Sequence, residues 1–195
     1  MRTHTLQHGF TLLETMVAIS LLMLSIVGPL TIAQKSVKTS TYTKNRTTAY
    51  YLAQDAIEYL RNIRDTNSLR GNNWAQLLTI YAPCISASSA DRCFFDTMNP
   101  PANIINNPKG GLIQRCVEGS CPKLTYLDAF GYFGYITGTL GIVESQYRRE
   151  VTITPINTTA EGNRELLLRV DVIWDEGILG GEKKISLYDE VYDWQ

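Results

Sequence analysis

Hydrophobic positions change their spacing three times along the chain. From Phe10 to Ala33 they are nearly continuous, and between Val17 and Leu30 only Ser20, Ser25 and Gly28-Pro29 interrupt the apolar run. As a helix these residues extend about 36 Å, enough to cross a hydrocarbon layer of about 30 Å. From Gln34 the composition turns polar, but a helical period persists. Ala49, Leu52, Ala53, Ala56, Ile57, Leu60 and Ile63 recur at three- and four-residue steps, and Asp55, Glu58, Arg61 and Arg64 take the other faces. One long helix from about Phe10 to Asp65 is expected, apolar first and amphipathic later. Its second half needs a surface to cover the stripe.

That surface is expected from the C-terminal third, where the period falls to two. Val151 and Ile153 alternate with Glu150, Thr152 and Thr154. Leu168, Val170, Val172 and Trp174 alternate with Arg169, Asp171 and Ile173, and Ile185 and Leu187 with Lys184, Ser186 and Tyr188. Pro155–Asn163 and Asp175–Gly181 read as the intervening turns, so an antiparallel meander packed on the helix is economical. Residues 66 to about 110 read as irregular, apart from a short helical turn at Trp74–Ile80. Loops are marked by Asn67, Gly71, Asn72 and Asn73, and by Asn99-Pro100-Pro101 and Asn106-Asn107-Pro108. Short strands are expected near Leu112–Val117 and Leu124–Leu127. The Phe130–Tyr135 cluster reads as an aromatic strand covering the core, with a partner-facing surface as its rival.

One polar residue breaks the logic of the apolar run. Glu14 stands four places after Phe10, and a carboxylate left unpaired at mid-bilayer costs several kcal/mol, on the order of 3 or more. A cut after Gly9 would create a partner, the new amine of Phe10. The stretch Gly9-Phe10-Thr11-Leu12-Leu13-Glu14 with the apolar run behind it resembles the prepilin signature of type IV pilins and type II secretion pseudopilins. The resemblance implies a filament subunit with an α+β, pilin-like fold: a long N-terminal helix, its first half transmembrane, packed on a C-terminal antiparallel sheet. The resemblance marks a leader at 1–9 and a transmembrane and assembly helix at 10–33; the pattern of the chain adds its amphipathic continuation at 34–65, an irregular disulfide-stapled region at 66–145 that matches no motif, and the sheet at 146–195. The resemblance also implies a prepilin peptidase that cuts between Gly9 and Phe10 on the cytoplasmic side and methylates the Phe10 amine. Glu14 would pair with the N-terminal amine of a neighbouring subunit. In a low-dielectric bundle such a pair is attractive at one axial offset only, so it sets register. Gly28-Pro29 is a candidate helix break, a kink or a site of melting on assembly. Implied partners are the peptidase, other pilin or pseudopilin subunits and an inner-membrane assembly platform. The implied location is the inner membrane, single-pass with an extracytoplasmic C-terminal domain, and then the pilus or pseudopilus. The basic Arg2 before the span favours that orientation.

A second, less specific resemblance covers the later segments. Ala49-Tyr50-Tyr51-Leu52-Ala53-Gln54-Asp55-Ala56-Ile57-Glu58 with Arg61-Asn62-Ile63-Arg64-Asp65 is similar to the helix of V-type minor pilins and I-type minor pseudopilins. Val170-Asp171-Val172-Ile173-Trp174, Ile185-Ser186-Leu187 and the near-terminal Trp194 are similar to their last hairpin. Two rivals remain. An ordinary secretory signal would be cut near Thr31-Ile32-Ala33, and a plain anchor would not be cut. Either leaves an extracytoplasmic binding domain, and neither accounts for Glu14.

Charge and composition narrow the chemistry. The net charge is −1, and losing Arg2 with the leader leaves 17 Lys and Arg against 19 Asp and Glu, so no strong field favours nucleic acid. Arg148-Arg149 and Lys183-Lys184 read as solvated strand residues rather than a binding patch. Both histidines, His4 and His8, lie in the leader, so the processed product would have no histidine for a triad, a general base or a metal site. No phosphate-cradling glycine loop, H-E-x-x-H, C-x-x-C or G-x-S-x-G occurs. No enzyme, cofactor or metal is expected. Asp175, Glu176 and Glu182 form a carboxylate-bearing turn read as solvated, with calcium as the rival. Four cysteines, Cys84, Cys93, Cys116 and Cys121, allow three pairings in an exported domain. The local pairs Cys84–Cys93 and Cys116–Cys121 are favoured because short loops close easily, with a four-thiolate zinc site and free thiols as alternatives.

Overall fold

The computed structural model describes residues 9–85, 91–98, 113–117, 120–128, 131–135, 141–159, 162–177 and 180–193. Residues 1–8, with Arg2, His4 and His8, lie outside them, as do both Asn/Pro-rich loop motifs, Leu112, Phe130 and Trp194. The architecture is α+β and pilin-like, a long N-terminal helix followed by an antiparallel sheet. The chain forms two compact units, Met1–Lys44 and Asn45–Gln195, with the boundary inside the first helix.

Helix α1 spans Leu12–Leu69 and runs unbroken through Gly28 and Pro29. It ends four residues later than its periodicity suggests, because Asn67 does not stop it. Asn67 is buried. Its amide donates to the Asn73 carbonyl at 3.4 Å, and its side-chain oxygen accepts from Asn72 at 3.0 Å. The helix stops where Gly71 turns to φ 72°, a left-handed conformation that glycine adopts without strain. There the Gly71 amide donates to the Ser68 carbonyl at 2.9 Å, and the Asn72 amide to the Asn67 carbonyl at 3.2 Å. Asn73 then caps α2 (Trp74–Tyr81), its side chain accepting from the Gln76 amide.

In the second unit seven strands make one sheet: β1 (Cys93–Phe95), β2 (Ile113–Arg115), β3 (Lys123–Leu127), β4 (Tyr132–Gly134), β5 (Ile142–Thr159), β6 (Gly162–Asp175) and β7 (Glu182–Tyr192). All pairings between them are antiparallel. The long β5 organises the sheet. One edge meets β6, which carries β7. The other meets β3 along its first half and β1 at Val151. The sheet therefore extends beyond residues 146–195: β2, β3 and β4 form where short strands were expected, and β1 adds a strand from the segment expected to be irregular.

The expected turn at Pro155–Asn163 is corrected: β5 continues through Pro155 to Thr159 and pairs with β6 back to Gly162, with a register shift between Pro155 and Asn157. Proline removes a ladder donor, which is tolerated at an edge or bulge. The described pairings on the far edge of β5 end at Ile153, so Pro155 meets both conditions. One sheet face packs on the helical turns from Ala49 to Ile63. Tyr147, Val151 and Ile153 of β5 and Leu166, Leu168, Val170, Val172 and Trp174 of β6 form the core with Leu52, Ala53, Ala56, Ile57, Leu60 and Ile63. Phe133 and Tyr135 of the aromatic cluster pack against that core, Phe133 edge-on to Tyr147 at 5.6 Å.

Candidate functional site

The N-terminal turn is built by local hydrogen bonds. Thr11 precedes α1 and accepts from the Glu14 amide at 3.3 Å, while the Thr15 amide reaches the Thr11 carbonyl at 3.2 Å. Threonine followed three residues later by glutamate is the pattern of a capping box, so Glu14 sits in the first turn, where the helix dipole favours a negative charge. This role of Thr11 is legible in the sequence as T-x-x-E. Gly9 and Phe10 lie just before the cap, and Phe10 is 81% exposed. A Cβ placed on Gly9 meets nothing within 4 Å, and its φ is not positive. The chain itself makes no demand for glycine there.

Among the described residues of its own unit, the helix behind this turn has no partner. An 18-residue window of mean hydropathy 2.2 is wholly unburied. Every hydroxyl in the apolar stretch is nevertheless satisfied by the helix. Thr15 donates to the Leu12 carbonyl (2.8 Å), Ser20 to Met16 (2.8 Å), Ser25 to Leu22 (2.7 Å) and Thr31 to Gly28 (2.7 Å). Such back-bonding removes the cost of hydroxyls in a medium without water. Among the described residues the Glu14 carboxylate has no such partner. A Cβ on Gly28 would also meet nothing within 4 Å.

In the second unit the four cysteines are joined as Cys84–Cys93 and Cys116–Cys121, with Cα separations of 5.3 and 4.6 Å. The first bond ties the end of α2 to β1. Both partners meet β5, Cys93 opposite Val151 and the Cys84 carbonyl accepting from the Ile153 amide at 3.1 Å. The second closes the turn between β2 and β3.

The expectation of a solvated Arg148-Arg149 pair is overturned at Arg149, which is 1% exposed. Its guanidinium donates to the Leu52 carbonyl (3.2 Å), to Asp55 Oδ2 (3.0 Å) and to the Phe95 carbonyl (3.0 Å), and lies 5.5 Å over the Phe95 ring. Tyr59 stacks on the same ring at 5.4 Å. Burial raises the Tyr59 hydroxyl well above its usual range, and pushes Tyr135 up to about 12, against the pull of Arg149. Period two on β5 places Arg149 with Tyr147, Val151 and Ile153, a signal that could have found it.

On the opposite face Arg148 takes part in a network of ion pairs. Glu150 and Asp171 are direct cross-strand neighbours, an arrangement that is unfavourable alone. Arg92 and Arg148 hold Glu150 at 2.8 and 3.1 Å, and Arg169 holds Asp171 at 2.9 Å. In the carboxylate turn, Glu182 pairs with Arg148, Asp175 accepts from the Gly177 amide, and Glu176 accepts from the Trp174 indole. No group of three or more His, Cys, Asp or Glu converges to hold a metal among the described residues.

Residues 5–28 match the family model of the prokaryotic N-terminal methylation motif, which contains Gly9, Phe10, Glu14 and Gly28. With the long apolar helix and the antiparallel sheet, the match supports the type IV pilin and pseudopilin family. No curated protein and no solved structure matches the chain. Proteins of this motif are structural rather than catalytic, and the chain fits a membrane-anchored pilin-like subunit.

Proposed function

We propose that the chain is a minor pilin or pseudopilin of a type IV pilus or type II secretion filament. It waits as a single-pass protein of the inner membrane, is cut after Gly9 by a prepilin peptidase that methylates Phe10, and enters the filament through its N-terminal helix. An inner-membrane assembly platform and the other subunits are its partners. The methylation motif over residues 5–28 carries this reading. The minor subtype rests on the similarity of Ala49–Asp65 and of the β6–β7 hairpin. Orientation follows from a cytoplasmic cut rather than from flanking charge, since Lys35 and Lys38 make the far flank basic as well. Melting around Gly28-Pro29 on assembly belongs to the same proposal, because that pair already lacks one helical hydrogen bond.

Glu14 has two roles to separate, first-turn capping and register. Gln keeps the capping box and loses the charge. Glu14→Gln and Glu14→Ala are therefore both expected to be cleaved normally and to be missing from sheared filaments. Normal incorporation of Glu14→Gln would reduce Glu14 to a capping residue and remove the register role.

A further inference from the structure

Between Glu14 and Asp55 the chain holds no acidic residue, yet it holds Lys35, Lys38, Lys44 and Arg46. Lys35 and Lys38 lie one helical turn apart on α1, are exposed, and make no ion pair among the described residues. They stand just beyond the apolar stretch, on the flank that a cytoplasmic cut at Gly9 would send across the membrane. Positive charge is what the orientation rule disfavours on that flank.

Helix geometry places the two lysines. If the apolar stretch is centred, its roughly 36 Å overshoots a hydrocarbon layer of about 30 Å by about 3 Å at each end. The Lys35 Cα then lies about 6 Å beyond the hydrocarbon edge and Lys38 about 10 Å, against a headgroup layer of about 5–7 Å. Side chains on a helix lean toward its N-terminus, here toward the bilayer, and lysine stems reach back to an interface. Both ammonium groups can therefore sit among headgroups. Lys44 lies about 20 Å out, more than a Debye length of about 8–10 Å above the lipid surface.

We propose that Lys35 and Lys38 form a docking surface for the headgroups of anionic phospholipids in the leaflet at the C-terminal end of the span. The inference rests on the membrane-spanning part of the proposed function. The occupant follows from charge complementarity and depth: two cations without a neutralising acid, at the level of the lipid phosphates. Each lysine near an anionic surface contributes about fivefold, so the pair is expected to give roughly thirtyfold preference for an anionic over a zwitterionic lipid at low salt.

The test uses the full chain. It is inserted into vesicles of equimolar phosphatidylcholine and phosphatidylglycerol and washed with carbonate. It is then released into mild detergent, and the affinity for each lipid is read by native mass spectrometry. The expected result is carbonate-resistant protein preferring phosphatidylglycerol by roughly thirtyfold, with K35Q/K38Q abolishing that preference and K44Q leaving it unchanged. Carbonate-resistant protein with equal affinity for the two lipids overturns the docking surface alone, and would fit lysines that serve an acidic protein neighbour. An equal loss in K44Q and K35Q/K38Q also overturns it, since depth would then not matter. Release by carbonate removes both the span and the inference built on it.

Discussion

Helix α1 joins two halves that follow opposite rules. Its turns from Ala49 to Asn67 bury nine residues, while the apolar stretch near its start is wholly exposed. The second half is the less hydrophobic of the two. Hydrophobicity alone therefore does not decide burial; what decides it is whether the chain supplies a covering surface. For Leu52, Leu60 and Ile63 that surface is β5 and β6. For Leu21, Leu22 and Leu24 the described residues of the first unit supply none, which fits the apolar helix of a membrane-anchored, pilin-like subunit. The polar groups divide in the same way. Arg149 finds three acceptors within its unit, whereas Glu14 finds none among the described residues.

The largest expected effects would break this contrast. Ile63→Ala and Leu60→Ala each remove a fully buried side chain and should destabilise the second unit by about 2–5 kcal/mol in urea unfolding of the detergent-solubilised chain. Leu24→Ala, at a position 74% exposed, should change the same transition by less than about 0.5 kcal/mol. Comparable shifts for the two kinds of variant would show that the halves are not independent. Arg149→Ala comes next. It orphans the Phe95 carbonyl and leaves a void, for an expected loss of about 3 kcal/mol, and Arg149→Met should recover part of it through volume.

The disulfides sharpen the comparison further. Replacing Cys84 and Cys93 by serine should cost about 2.5 kcal/mol, and the smaller Cys116–Cys121 loop about 2 kcal/mol. Neither pair of changes should alter membrane retention, as measured by carbonate washing.

A smaller effect is pH-dependent. Burial raises the Tyr81 hydroxyl far above its ordinary value, and that hydroxyl donates to the Leu60 carbonyl at 2.6 Å. A raised folded-state pKa means that its contribution is complete below about pH 10 and is lost progressively at higher pH. The second unit should therefore lose stability in alkali, less so in Tyr81→Phe, which gives up about 1 kcal/mol at neutral pH. An identical alkaline slope in both proteins would remove Tyr81 as the cause. The smallest effect is expected at Arg61, which holds Asp189 through two contacts of 2.8 and 2.6 Å but is itself 42% exposed. Arg61→Ala should cost no more than about 1 kcal/mol.

Long periodic segments were legible in the sequence, and so were the short strands β2, β3 and β4; β1 was not. The apolar run, the 49–63 stripe and the alternation in β5, β6 and β7 stand out because many positions repeat one period. Helix α2 was legible from Trp74 onward. The strand at Cys93–Phe95 spans three residues, too few to display a period, and it exists because Cys93 meets Val151 and Phe94 meets Gln114. Pro155 looked like a turn because proline usually ends a strand; the open edge beside it is a tertiary fact. The charge of Arg149 suggests a solvated residue, but its place in the alternation puts it on the buried face. At the candidate site, Gly9, Phe10 and Glu14 were legible through one local motif. The Thr11 cap was equally local.

The N-terminal helix, unburied within its own unit, is proposed to be processed after Gly9 for assembly with other subunits. The mature N-terminus and intact mass of the protein from its native membrane, read by mass spectrometry, test this most directly. The expected result is a chain beginning at Phe10 with one added methyl group, and a mass lower by two hydrogens for each of the two disulfides. A chain that retains Met1, or begins near Gln34, would contradict it.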